Sequence, residues 1–235
     1  KCYIIIMAPE VFDFFPLTFF KDKIKVPQKE KKEIIKFIFN SENESKNIPK
    51  RKGDAWLGDT RGQEYLFKVP IMKNLAYLVS EKIKLYTEML RLNNEKLHFY
   101  YQRSWATITK NKEHIRLHSH DQSNISFSYY LLKPKNSGNI RFSSESQNEI
   151  AKGLFHKEKL DLGLLKEVTK RNTPNIDLNI EEDNIIIFPS KTKHSTTPNV
   201  TQKTRISISG DVTIMLKDSY GHERLMPHFK NWQQF

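Results

Sequence analysis

The run Arg116-Leu117-His118-Ser119-His120-Asp121 puts two imidazoles two residues apart, and a third, His194, follows in a later segment of similar texture. In an extended chain residues i and i+2 project to the same face, so His118 and His120 face one cleft. Neutral imidazoles in such a pair are good ligands for iron, zinc, copper or nickel. His194 can complete a three-ligand face from across a sheet. Non-haem iron(II) sites have this layout, usually with two His and one carboxylate, and keep the remaining positions open for a co-substrate and oxygen. An acid follows at once here. The second ligand is therefore either His120, whose parity matches His118, or Asp121, if the strand bulges.

Arg205-Ile206-Ser207 supplies the other half of the chemistry. Arginine is always charged and holds a carboxylate through two parallel N–H donors. Ser207, two residues on, shares its face. One tyrosine of Ser128-Tyr129-Tyr130-Leu131 must also face inward, with a hydroxyl able to donate to an acid. Taken singly these residues have ordinary readings: Arg205 as a cross-strand ion pair, and Trp105 and Phe188 as core. His98, His114, His156, His222 and His228 are read as common surface or core histidines.

The elements that must position these groups are legible from periodicity. Residues 28–40 read as a helix, with Ile34, Ile35, Phe37 and Ile38 opposite the lysines. Residues 41–55 read as a loop, and 70–93 as the longest helix, ended by Asn93-Asn94. From 97 onward the texture changes to strands at 97–109, 114–119, 124–133, 138–142, 184–189 and 203–216. The polar stretch 143–175 interrupts them as an insertion. Helices followed by many strands predict a mainly β protein with N-terminal helices.

Of the 235 residues, 37% are apolar and 11% aromatic, which fits a globular domain rather than a disordered chain. A single domain is expected: a helical support region at 1–95, a core at 96–216 and a C-terminal extension at 217–235. No apolar run is long enough to span a bilayer, and no membrane partner is expected. Cys2 is the only cysteine, which excludes an intrachain disulfide and a cysteine metal knuckle and suits a cytoplasmic setting. Lys1 is not an initiator, so the natural start is expected at Met7. The net charge of +12 rests mostly on scattered lysines amid many Asn and Ile, the bias that AT-rich coding produces. It is weak evidence for a polyanionic partner, and Lys21–Lys32 reads as a solvated face.

The combined order Trp105 … His118-x-His120 … Ser126-Phe127-Ser128-Tyr129-Tyr130-Leu131 … Gly138-Asn139-Ile140-Arg141-Phe142 … Ile186-Ile187-Phe188-Pro189-Ser190 … His194 … Arg205-Ile206-Ser207 resembles the 2-oxoglutarate- and iron(II)-dependent dioxygenases. It looks most like the branch found in marine bacteria and their phages, related to the prolyl hydroxylases. The resemblance covers residues 97–216, and its specificity lies in the order of the pieces. It implies a double-stranded β-helix, the jelly-roll or cupin-like fold. It implies Fe(II) on His118 and His194, with His120 as the second ligand. The wider superfamily has His-x-Asp or His-x-Glu there, so this chain departs from it. It also implies the distal carboxylate of 2-oxoglutarate on Arg205, assisted by Ser207 and Tyr130. O2 would be the oxidant, ascorbate a reductant, and succinate the product of 2-oxoglutarate as a substrate C–H bond is hydroxylated.

The sequence does not name that substrate. Kinship with prolyl hydroxylases favours a peptidyl or amino-acid side chain over a small metabolite. No aromatic–basic interleaving speaks for nucleic acid. Specificity is expected from the N-terminal helices, from 41–68 including Trp56, and from 143–175. Trp232 and Phe235 are candidates for docking back on the domain or for a homodimer contact. The competing reading is a cupin-like metal- or ligand-binding module without oxygenase turnover, which has no need of Arg205 and Ser207. A non-catalytic relative that has lost metal affinity is the third.

Overall fold

The computed structural model describes residues 16–144, 161–218 and 226–235. Cys2, Met7, His156, His222 and much of the 143–175 insertion lie outside them. The described elements are strand β1 (Phe20–Lys23), helix α1 (Gln28–Glu44), β2 (Trp56–Leu57), helix α2 (Lys73–Met89), β3 (Leu97–Thr109), β4 (Ile125–Leu132), β5 (Ile140–Ser143), β6 (Asn175–Leu178), β7 (Asn184–Pro189), β8 (Lys193–Thr196) and β9 (Arg205–Leu216).

Two antiparallel sheets form the double-stranded β-helix. The larger runs β1-β7-β4-β9-β3-β2, and the smaller β6-β5-β8. Strand alternation sorts each residue to one of two surfaces. On β9, Ile206, Ile208 and Val212 point outward, as do Phe127 and Tyr129 on β4 and Ile185 and Ile187 on β7. They form one core with Ile34 and Ile38 of α1 and Leu75, Val79 and Ile83 of α2. Ile34 and Ile38 are 0% exposed, which stabilises α1 docking by about 1.5–3 kcal/mol each. The inner surface is polar by comparison. Asp211, Ser209 and Ser207 on β9 lie opposite Ser126, Ser128 and Tyr130 on β4 and opposite Arg103, Trp105 and Thr107 on β3. A second core closes the space between the sheets, where Phe142 meets Phe188 at 5.0 Å between ring centroids.

Several boundaries differ from the periodicity. Helix α1 runs on to Glu44 because Ser41 is buried and Ser45 caps the last turn. The Ser45 hydroxyl donates to the Ser41 carbonyl at 3.0 Å and accepts from Trp56 Nε1 at 2.9 Å. Helix α2 stops at Met89, not 93, preceded by a 3-10 turn at Pro70–Met72. Arg91 turns the chain with φ +63°, and Asn94 Nδ2 donates back to the Lys84 carbonyl. Residues 114–119 are not a regular strand. They run beside β8 through a single reciprocal pair, His118 with His194, and the register then slips so that the Thr196 N–H reaches the Ile115 carbonyl. Strands β1, β6 and β8, each four residues long, carry too little alternation to be read from sequence. In β1 the lysines do face solvent, along a sheet edge.

Candidate metal centre and co-substrate pocket

The 114–120 segment and β8 bring His118, His120 and His194 together. One nitrogen from each lies within 4.8 Å of the others. Ring centroids stand 4.2 Å apart for His118–His194, 5.0 Å for His118–His120 and 5.3 Å for His120–His194. Each Nδ1 already has a partner. That of His118 is 2.8 Å from the Arg116 carbonyl, that of His194 2.9 Å from the Thr192 carbonyl, and that of His120 3.0 Å from Asp211 Oδ2. With Nδ1–H donating in all three, the remaining lone pair sits on Nε2, the tautomer a metal requires. Burial pushes the His118 imidazole below its ordinary pKa. Burial, reinforced by His118, takes His194 down to about 3. Both are therefore neutral donors near pH 7, and this donor set fits a divalent metal. Among the described residues these three form the cluster that could hold one. Asp121 does not join it. That side chain is exposed and accepts from the Ser119 hydroxyl instead.

Aromatic walls fix the ring planes. Trp105 stacks on His120 at 5.5 Å, and Phe188 meets His194 edge-on at 4.8 Å. Beneath His120 lies Asp211, 0% exposed, accepting also from Arg103 Nη2 at 2.9 Å and from the Ser126 hydroxyl at 2.8 Å. Burial alone would raise its pKa, but the bonds from His120, Arg103 and Ser126 outweigh it and hold the carboxyl below its usual range.

The histidines open on a cavity of about 340 Å³. Ser128, Tyr130, Ser207 and Ser209 line its inner part with Ile140 and Phe188. Tyr130 and Ser207 are register partners on β4 and β9. Arg205 lies one layer deeper, 1% exposed. Its guanidinium donates to the Ser137 carbonyl at 2.7 Å, to the Thr196 hydroxyl at 3.0 Å and to the Thr109 hydroxyl at 3.2 Å. Thr196 is itself a cavity residue, two positions after His194 on β8, so it links the histidines to the arginine. Thr107, opposite Ser207, carries a buried hydroxyl without a hydrogen-bond partner. The structure thus brings together all six residues singled out in the sequence. No carboxylate pairs with Arg205 among the described residues.

Sequence reading missed Asp211, Arg103 and Thr196. Parity along β9 would have found Asp211, which shares the face of Arg205 and Ser207. The 41–68 stretch, from which specificity was expected, does reach the cavity, through Asp54, Leu57 and Asp59. That loop docks through an Asp54–His114 bridge and a 2.9 Å bond from the Gly58 N–H to the Ala106 carbonyl. Burial raises the Asp59 carboxyl, with Arg103, 3.7 Å away, opposing the shift. Of the other histidines, His114 borders the cavity, whereas His98 and His228 contact each other on the outer end of β3.

Residues 103–211 match the family model described as "Putative 2OG-Fe(II) oxygenase". No curated protein matches the chain. Among solved structures, a Pseudomonas putida prolyl-4-hydroxylase is similar at 10% identity, covering 83% of this chain and 92% of its own, with a TM-score of 0.51. The non-heme alpha-ketoglutarate-dependent carbocyclase SnoK from nogalamycin biosynthesis is similar at 8% identity, covering 90% and 87%, with a TM-score of 0.53. HygX from Streptomyces hygroscopicus, with nickel and 2-oxoglutarate bound, is similar at 11% identity, covering 90% and 91%, with a TM-score of 0.50. At these identities the likeness is one of fold.

Proposed function

We propose that this chain, whose residues 103–211 match the 2OG-Fe(II) oxygenase family model, hydroxylates a C–H bond, with His118, His120 and His194 holding the iron and Arg205 the far carboxylate of 2-oxoglutarate. The balance is one 2-oxoglutarate, one O2 and one R–H giving succinate, CO2 and R–OH. The observation that carries the reading is that each of the three imidazoles has its Nδ1 within 3.0 Å of a carbonyl or carboxylate oxygen, which leaves Nε2 for a metal. Iron(II) bound there supplies oxygen activation, which no side chain of the protein can.

The chain's own residues do the rest. Asp211 orients His120 and keeps Nε2 unprotonated. Arg205, 1% exposed, offers donors where a charge-assisted bond is strong. Ser207 and Tyr130 add hydroxyl donors on the cavity wall. Phe188, Ile140 and Trp105 limit water around the reacting end. A peptidyl or amino-acid side chain is the substrate class we favour, entering past Asp54, Leu57 and Asp59. No helix is long and apolar enough to cross a membrane among the described residues.

Ligand binding to the native state raises its melting temperature. 2-Oxoglutarate should therefore raise Tm only when a divalent metal is present, and His194→Ala should lose that response. Stabilisation by 2-oxoglutarate in the presence of EDTA, or its persistence in His194→Ala, would remove the metal centre from the account.

A further inference from the structure

Two largely buried cations, Arg205 and Lys133, lie within electrostatic reach of one another, and no carboxylate pairs with either among the described residues. Arg205 bonds only to a carbonyl and two hydroxyls. Lys133, which follows β4 directly, is 8% exposed, and its ammonium has no hydrogen bond or ion pair among the described residues. Burial, and after it the nearby charge of Arg205, draws that ammonium down to about 8, so it is still largely protonated at pH 7.

Lys133 does not face the histidines. It lines a second cavity of about 670 Å³ on the other side of Arg205, with Lys135, Asn136, Asn139, Asn179 and Thr197. The wall between this cavity and Arg205 is Gly138, in the left-handed region at φ +86°. A Cβ there would stand 2.7 Å from Arg205 Nη1 and 2.2 Å from the Thr197 carbonyl oxygen, so the backbone passes as close as glycine allows. Glu181 and Glu182 also border the cavity, but both are committed elsewhere. Glu181 pairs with Lys23 at 2.9 Å. Glu182 pairs with Lys31 at 2.7 Å and accepts from the Lys133 backbone N–H at 3.1 Å. What remains is two lysines and three side-chain amides around an open space.

We propose that this second cavity binds a phosphate group, free or on a small metabolite, with Lys133 as its ion-pair partner. A tetrahedral oxyanion offers several acceptors to donors spread around a wall, which a single carboxylate does not. The site is separate from the metal centre, and the inference does not depend on the oxygenase reading.

The test is calorimetric titration of the full chain at pH 7 with inorganic phosphate, and in parallel with glycerol 3-phosphate. EDTA is included and NaCl holds the ionic strength constant. Wild type should show saturable one-to-one binding, and the tighter of the two probes identifies the source. Lys133→Met and Lys133→Gln should each bind about ten-fold or more weakly. Both should keep the far-UV circular dichroism and the cooperative melting of wild type, which shows that they fold. Without phosphate, Lys133→Met should melt no lower than wild type, because it removes an uncompensated charge. Absence of saturable binding in wild type, or equal affinity in wild type and both variants, would overturn the proposal.

Discussion

At the scale of single residues the distinctive feature is where the negative charge sits. Three imidazoles would be neutral ligands, so a divalent ion held among them would keep its charge. Asp211 supplies a carboxylate one hydrogen bond away, through His120 Nδ1, rather than as a ligand. Asp211→Asn keeps the shape but offers Arg103 and His120 a weaker acceptor. It should lower metal affinity by about 10–100-fold with the fold retained, measured by competition with a chromogenic chelator. Unchanged affinity would mean that Trp105 stacking alone orients the ring. Much of this constellation could be read in the sequence. The i, i+2 parity of His118 and His120 favours His120 over Asp121, and the structure leaves Asp121 exposed. Thr196 was not legible, because its link to Arg205 needs β8 and β9 to meet, and β8 is too short to announce itself.

At the scale of elements, alternation is informative where one face is greasy and the other polar. Strands β3 and β9 have that contrast, β7 is instead a short continuous apolar run, and the limits of all three in the sequence and the structure nearly coincide. The 114–119 run lacks a second neighbour to complete a ladder, so it stays extended without regular pairing. Helix ends were missed where side chains far apart in sequence decide them, as Trp56 does for α1 through Ser45. The same helix is tied to the turn before β7 by Lys31, whose side chain is 4% exposed and pairs with Glu182 and Asp183 at 2.7 Å each. Burial disfavours the ammonium, but the bonds to Asp183 and Glu182 win and raise its pKa above 10.5. A raised folded pKa means that the stabilisation is complete below the unfolded value and is lost as pH rises through the folded one. Lys31→Met should thus cost about 1–3 kcal/mol near pH 8. The difference in Tm from wild type should shrink above pH 10.5. A gap that stays constant into that range would assign the effect to packing of the lysine stem.

At the scale of the whole molecule, the larger sheet has two roles. Its outer face anchors the helices, and its inner face carries the chemistry from Asp211 to Arg205 along one strand. The approach of the 54–61 loop to the cavity is a property of the assembled fold and was only suspected from Trp56, since its docking partners lie some fifty residues away at Ala106 and His114. Composition contributed least, because a net charge of +12 is spread over surface lysines and marks no face. The most direct test of the account is succinate formation from 2-oxoglutarate with iron(II) and ascorbate under air, comparing wild type with Arg205→Ala. Succinate in wild type, lost or sharply reduced in the variant, is the predicted result. Equal succinate from both proteins, or none from wild type together with no metal-dependent 2-oxoglutarate binding, would contradict it.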